Sequence, residues 1–369
     1  MKIIQILPEL NAGGVERGTL ELAAFLTAAG HDAVVISNGG RLVEELERCG
    51  ARHFTLPVHR KSLASLWQVR RLRQLLTDEQ PDIVHLRSRV PGWLTWLAWR
   101  GMNPQTRPHL VSTVHGFYSV NRYSAIMTCG ERVIAVSQSA RSYVVENYPN
   151  VSPAKLRVIP RGIQPDRYFP TYQPSAAWLA AWQAAHPHLA NKRLLLLPGR
   201  ITRLKGHEEF FELIAALTAD RWPVHGLVVG DTHPKKRAYL AELQESVRQL
   251  GLTSHIDFLG HRSDLQDLMA VSEMVFGLSR QPEAFGRTVL EALALGKPVV
   301  GYDCGGVGEL LGELFPAGAI QPGDQQALLE RTRAILTEPP LPSPVGPPFT
   351  LDAMCRATLA VYEELVETR

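Results

Sequence analysis

The chain has 369 residues, 45% of them hydrophobic and 20% charged, which is enough for two domains with full-sized cores and excludes disorder, a mini-protein or a fibre. Its four cysteines, Cys49, Cys129, Cys304 and Cys355, are too far apart for a disulfide framework or a paired metal-ligand spacing, and no apolar run approaches the ~20 residues that cross a bilayer. The net charge of +3 conceals a division: residues 1–167 hold 21 Lys+Arg against 13 Asp+Glu (+8), the rest 18 against 23 (−5), so the first half is expected to meet an anion or an anionic surface.

Short β-branched runs alternate with longer amphipathic stretches from end to end, the pattern of βα units around a parallel sheet. Strands are expected at Lys2–Leu7, Ala33–Ser37, Ile83–Leu86, Leu110–Val114, Val133–Val136 and Arg157–Ile159, with helices at Val15–Ala29 and Ser62–Leu76. The N-terminus, MKIIQILPEL, places Pro8 and Glu9 where a signal peptide needs continuous apolar residues, so a cytoplasmic chain with reduced thiols is expected. After the Trp/Ala-rich segment Ala176–Ala185 a second alternation starts. Its strands are Arg193–Leu197, Gly226–Val229, Ile256–Leu259, Met274–Gly277 and Pro298–Gly301; its helices are Glu208–Ala219, Lys235–Leu250, Asp264–Ala270, Thr288–Leu295 and Asp324–Leu336. Two successive doubly wound α/β domains follow, residues 1–167 and 190–338, with linkers at 168–189 and 339–349 and one last helix, Asp352–Thr368.

Gly13-Gly14 comes after the first strand and before a long helix, where backbone N–H groups at a positive helix end approach an anion without a Cβ in the way. A dinucleotide fingerprint is absent: Ala12-Gly13-Gly14-Val15-Glu16-Arg17-Gly18 lacks the G-x-G-x-x-G spacing, and the second strand ends in Ser37-Asn38 rather than an acid. In the second half, Pro198-Gly199-Arg200 ends a strand and Lys205-Gly206 opens the next helix, placing two cations at the ligand edge of the sheet as a diphosphate clamp would need. Glu283 and Glu291 stand eight positions apart around a helix start, so that two acids are available to opposite ends of one elongated polar ligand.

Together with the runs Val158-Ile159-Pro160-Arg161-Gly162-Ile163 and Gly296-Lys297-Pro298-Val299-Val300, these motifs closely resemble the retaining GT-B glycosyltransferases of family 4, in order and spacing, from Ile3 to about Leu336. The resemblance implies two Rossmann-like domains facing a cleft, a nucleotide-sugar donor held mainly by the second, an acceptor held mainly by the first, and a terminal helix returning to the first. By resemblance, Glu291 accepts from the ribose hydroxyls, Glu283 holds donor-sugar hydroxyls beside the backbone N–H groups of Phe285 and Gly286, and Arg200 and Lys205 stabilise the diphosphate. Gly13 and Gly14 let the first domain approach the donor phosphates, His115 in Thr113-Val114-His115-Gly116 resembles a histidine that contacts the donor sugar, and His261-Arg262 occupies the place of the base. None of the twelve aspartates forms Asp-x-Asp, in keeping with cations, rather than a divalent metal or any cofactor, serving the diphosphate. Arg161 stands where many relatives have asparagine.

For the acceptor, Arg17, Arg87 and Arg89 near the ligand edge suit an anionic glycan or glycolipid, while Arg60-Lys61 and Arg70-Arg71-Arg73 are further dense spots. Trp93, Trp96 and Trp99 at helical spacing read first as core and second as a face lying on an anionic membrane. Fine detail resembles bacterial lipopolysaccharide-core and other envelope-glycan transferases, with a uridine diphosphate sugar as the expected donor. A sugar-nucleotide 2-epimerase and a non-catalytic binder on the same scaffold are the alternatives; nucleic acid is not expected, since aromatics and arginines are not interleaved on a recognisable module.

Overall fold

A computed structural model describes residues 1–11, 13–61, 63–231 and 237–368. These form two compact units, Met1–Gly162 with Pro347–Arg369, and Ile163–Gly346. The first is built on seven parallel strands: β1 (Lys2–Ile6), β2 (Asp32–Ser37), β3 (Arg52–Thr55), β4 (Ile83–Leu86), β5 (His109–Val114), β6 (Arg132–Ala135) and β7 (Leu156–Val158). They lie in the order β3-β2-β1-β4-β5-β6-β7, so the order reverses beside β1, the switch point at which such sheets bind ligands. Ile3, Ile4, Ile6, Val34, Ile36, Val84 and Leu86 are fully buried, as strands covered by helices on both faces require. β3 was not expected. It is an edge strand whose Arg52 and Thr55 are exposed, and its polar sequence suits an edge better than a core.

Helices α1 (Gly14–Ala28), α2 (Val43–Arg48), α3 (Trp67–Glu79), α4 (Arg89–Arg100) and α5 (Gln138–Asn147) connect these strands. The helix expected to begin at Ser62, which lies outside the described residues, instead starts as a 3-10 turn at Leu63–Leu66 and becomes α-helical at Trp67. On α4, Trp96 and Trp99 pack against the Val84–Leu110 cluster and Trp93 against the Val114–Met127 cluster. Their indole N–H groups are also used: Trp93 donates to the Tyr123 carbonyl at 2.8 Å and Trp99 to that of Pro108 at 2.7 Å. This face is core, and the membrane-facing reading of these three tryptophans does not hold.

The second unit repeats the design with six parallel strands: β8 (Arg193–Pro198), β9 (Val224–Val229), β10 (Ile256–Gly260), β11 (Met274–Gly277), β12 (Val299–Tyr302) and β13 (Ala319–Ile320), in the order β10-β9-β8-β11-β12-β13. Its helices are α6 (Ala176–Ala185), α7 (His207–Ala219), α8 (Arg237–Gln249), α9 (Leu265–Val271), α10 (Arg287–Ala294), α11 (Gly305–Leu314) and α12 (Gln325–Thr337). Lys235 and Lys236, expected to open α8, lie outside the described residues. The stretch 168–189 is not a bare linker: Ser175 caps α6, and Trp182 is buried within the second unit. Residues 339–346 belong to the same unit, where the Ser343 N–H donates to the Leu314 carbonyl.

The last helix, α13 (Leu351–Glu367), packs on the first unit. Met354, Cys355, Tyr362 and Leu365 join the core formed by Ile3, Leu22 and Val111, and Glu364 pairs with Arg132 at 2.6 Å and Arg157 at 2.7 Å. All four cysteines are free; burial pushes the Cys129 and Cys355 thiols up to about 12, so both are inert. Among the described residues no helix is long and apolar enough to cross a membrane.

Candidate functional site

In the second unit, strand β8 ends in Pro198 and is followed by Gly199, Arg200 and Ile201; a turn then leads to Lys205 and Gly206, the residue before α7. Gly206 has φ +70°, and a Cβ there would lie 2.2 Å from the Leu278 carbonyl oxygen. Only glycine allows this approach, which brings the loop after β8 against the loop after β11. The Arg280 N–H donates to the Leu204 carbonyl at 2.8 Å and fastens the same two loops.

The result is an ion pair between residues 78 apart in sequence: Lys205 Nζ donates to Glu283 Oε1 at 2.6 Å. The Ser279 hydroxyl donates to the same carboxylate. Burial works to raise the Glu283 pKa, but Lys205, Ser279 and then Arg200 outweigh it, so the carboxyl stays below its ordinary range. A carboxylate held in this way accepts hydrogen bonds well and is a poor proton carrier. Its backbone is also set: the Gly306 N–H donates to the Glu283 carbonyl at 2.7 Å. A Cβ on Gly306 would meet the Phe285 Cα at 2.4 Å. Gly305-Gly306, at the start of α11, is thus a supporting element that the sequence reading passed over. Its signal was the same as that of Gly13-Gly14, a glycine pair between a strand and a helix.

Phe285 is buried and Gly286, at φ +94°, is the cap of α10. Glu291 lies within α10 and accepts from Arg287 Nε at 3.0 Å, one turn earlier on the same helix face. Arg262 is bound bidentately to Asp264, at 2.8 and 2.6 Å, and that pairing holds Asp264 down to about 2. The structure therefore groups Arg200, Lys205 and Glu283 at the carboxyl end of the second sheet, with Phe285 and Gly286 on the same loop, and gives Glu291 and Arg262 each a counter-ion of its own.

In the first unit, Gly13 at φ +144° precedes α1, and a Cβ there would lie 2.5 Å from a Glu16 carboxylate oxygen; the space beside Gly14 is open. The arginines expected near the acceptor are separated. Arg17 pairs with Glu45 at 2.8 Å. Arg89 lies over the Tyr118 ring at 4.7 Å and donates to the Ser124 hydroxyl at 3.2 Å. Arg87 is not an exposed charge at the sheet edge: it is 3% exposed, its Nε and Nη2 have no hydrogen-bond partner, and burial lowers its pKa. Following β4 directly, its side chain turns inward beneath Gly18 of α1, 3.4 Å from where a Cβ on Gly18 would stand.

Arg161, noted in the sequence only as a departure from asparagine, is next to it. Its Nη1 would lie 2.8 Å from the same Cβ, and its Nη2 donates to His115 Nδ1 at 2.5 Å. Burial, then the Arg161 and Arg87 charges, push the His115 pKa well below the usual histidine value, so the ring is neutral. With Nδ1 accepting, the proton is on Nε2, which is buried and without a partner. His115, Arg87 and Arg161 thus form one group; Arg89 adjoins it through Tyr118, whose hydroxyl accepts from the His115 N–H at 3.4 Å, and Arg17 is paired with Glu45.

Residues 12–167 match the family described as Glycosyltransferase Family 4 and residues 180–346 match Glycosyl transferases group 1. The lipopolysaccharide core biosynthesis mannosyltransferase LpsB of Rhizobium meliloti (strain 1021) is 28% identical over 246 residues, which are 64% of this chain and 66%, just under two thirds, of that protein. Among solved structures, a glycosyltransferase from Rickettsia africae ESF-5 superposes with a TM-score of 0.84 at 28% identity, over 100% of this chain and 99% of its own. Anabaena Alr3699/HepE, solved in complex with UDP and glucose, superposes with a TM-score of 0.76 at 22% identity, covering 100% and 96%. With one family spanning most of the first unit, the other most of the second, and two parallel-sheet α/β units in the GT-B pattern, the chain belongs to the GT-B glycosyltransferases of family 4.

Proposed function

We propose that the protein transfers a hexose-type sugar, with retention of anomeric configuration, from a uridine diphosphate sugar to an anionic glycan or glycolipid of a bacterial envelope, such as a lipopolysaccharide core. The Lys205–Glu283 pair beside Arg200 is the observation that carries this reading: two cations and a fixed carboxylate stand where a diphosphate and the hydroxyls of its sugar would be received together. The UDP and glucose complex of Anabaena Alr3699/HepE, which shares the fold, supports the choice of donor. The name of the Rhizobium relative supports the choice of acceptor.

In this reading Lys205 bridges Glu283 and the leaving diphosphate, and Arg200 adds a second charge. Glu291 accepts from ribose. A carboxylate already committed to Lys205 and Ser279 suits holding hydroxyls better than covalent attack. The departing phosphate oxygen then takes the acceptor's proton as the glycosidic bond forms on the same face, so the protein supplies position and electrostatics rather than an acid–base group or a cofactor. Membrane contact is assigned to α3: Trp67 and Leu66 are 69% and 51% exposed, and Arg70 lies beside the Trp67 ring. That composition suits an anionic lipid surface on the cytoplasmic face of the inner membrane.

A thermal-shift panel of UDP, GDP, ADP and their sugars tests the donor; a ligand at 100 times its Kd adds about 2.7 kcal/mol of stability. UDP and one UDP-sugar are expected to stabilise the protein, and Lys205→Ala to abolish the gain from both. Epimer accumulating from nucleotide sugar without any acceptor, or a trapped glycosyl–enzyme adduct, would overturn the reading.

A further inference from the structure

Helix α6 is capped by His186, and the turn Pro187–Leu189 that follows carries His188. His188 Nε2 lies 2.8 Å from Asp257 Oδ2, and His225 Nε2 lies 3.4 Å from the same oxygen. The ligand atoms of His186, His188 and Asp257 all fall within 4.8 Å of one another. The His186 ring is held against Trp182, centroid to centroid 4.0 Å. His225 is the second residue of β9 and Asp257 the second of β10, at the amino ends of the strands. Arg200 and Glu283 follow the carboxyl ends of β8 and β11, so the donor reading gives this histidine group no task.

His225, 1% exposed, backs Asp257 from the buried side of the sheet and fixes where its carboxylate stands.

We propose that His186, His188 and Asp257 form a binding site for a transition-metal cation, Zn²⁺ first, which fastens the turn after α6 to the edge strand β10 of the second sheet. Two imidazoles and one carboxylate, with a position left for water, are a donor set that suits zinc and its neighbours in the first transition row, not magnesium or calcium. Around tetrahedral zinc at about 2.0–2.1 Å, neighbouring ligand atoms stand about 3.4 Å apart. The His188–Asp257 contact of 2.8 Å needs to open by about 0.6 Å to reach it. The site departs from the expectation of a chain without metal ligands, which looked only at cysteines and Asp-x-Asp; the His186-x-His188 spacing was its sequence signal. The transfer step is not routed through the cation.

The test uses the full chain without an affinity tag, stripped with chelator and desalted. Co²⁺ is added as a spectroscopic probe and Zn²⁺ as the competitor, with metal content measured by mass spectrometry. One equivalent is expected to bind in the sub-micromolar range, with the intense visible bands of tetrahedral Co²⁺, and Zn²⁺ is expected to raise Tm. His188→Ala and Asp257→Asn, both at partly exposed positions, are expected to weaken binding at least about 10–100-fold, with circular dichroism showing each variant folded. His31→Ala in the first unit is expected to leave it unchanged. Failure to bind one tight equivalent overturns the proposal, as does a tight equivalent that survives both substitutions.

Discussion

At the residue scale the chain separates charges that are satisfied from charges that are not. Lys205 is satisfied by Glu283 at 2.6 Å, and removing it strips a preorganised cation from the proposed diphosphate site while leaving Glu283 with less to hold its proton off. Lys205→Ala is therefore expected to lower kcat by about 10²–10³, and Lys205→Arg to restore little, since a planar guanidinium does not reproduce a point charge at the end of a flexible stem. Steady-state kinetics with saturating donor checks both; near-normal kcat in the alanine variant would remove Lys205 from the reaction. Arg87 is the opposite case, a buried cation whose Nε and Nη2 have no partner. A charge kept there for stability alone is a poor choice, because an apolar residue of similar volume is commonly neutral or stabilising at such positions. Arg87→Met is expected to leave Tm unchanged or higher, to raise the KM for the acceptor and to leave UDP affinity as it was. A drop in Tm of several degrees with acceptor KM unchanged would make Arg87 structural.

At the element scale the terminal helix shows how local chemistry fixes a distant segment. On α13, Tyr362 is fully buried and within 2.6 Å of His85 Nδ1, while His85 Nε2 is 2.6 Å from the Thr113 hydroxyl. Tyr362→Phe keeps the packing and leaves one buried imidazole nitrogen unsatisfied, at a cost of about 1–3 kcal/mol. For a unit of this size that is a fall in Tm of about 2–4 °C per kcal/mol, measurable by calorimetry; an unchanged Tm would mean that the bond contributes nothing net. The helix itself was legible in the sequence, because its apolar residues follow a helical period after a proline-rich stop. The central strands were legible because they are buried on both faces and read as short, mostly apolar runs. β3 was not, since an edge strand reading Arg-His-Phe-Thr carries no apolar run. Nor was α5, whose strongest signal is one capping hydroxyl: the Ser137 side chain accepts from the Ala140 N–H. In the candidate site, the residue types of Arg200, Lys205 and Glu283 were legible from their motifs. Their meeting was not, because it depends on a loop contact at Gly206 between segments 78 residues apart. Arg161 was noticed only as an oddity, since its partnership with His115 exists only after two strand ends have been brought side by side.

At the scale of the whole molecule, both units are made sensitive to acid by the same device. His85 and His115 in the first unit and His207 in the second are all held neutral by burial, His207 at about 4 and the other two well below the ordinary value. Each folded pKa lies beneath the unfolded one of about 6.5, so as pH falls the unfolded chain takes up protons that the folded chain refuses. The associated stability is complete above about pH 6.5 and declines as pH falls through the window toward 4, by at most about 1.4 kcal/mol per pH unit for each histidine. The paired carboxylates act lower down: Glu79 and Asp264, both held at about 2 by arginine partners, lose their contribution only below about pH 4. Between pH 6.5 and 4.5 the histidines therefore dominate the slope. Urea unfolding at pH 7.5, 6.0 and 5.0, with chelator present, is expected to show stability falling with each step. His207→Gln, which gives the same buried position no proton to accept, is expected to make the slope of the second unit shallower without abolishing it, since burial also holds His225 at about 4. A free energy of unfolding that stays level from pH 7.5 to 5.0 would mean that these rings become protonated within the folded state.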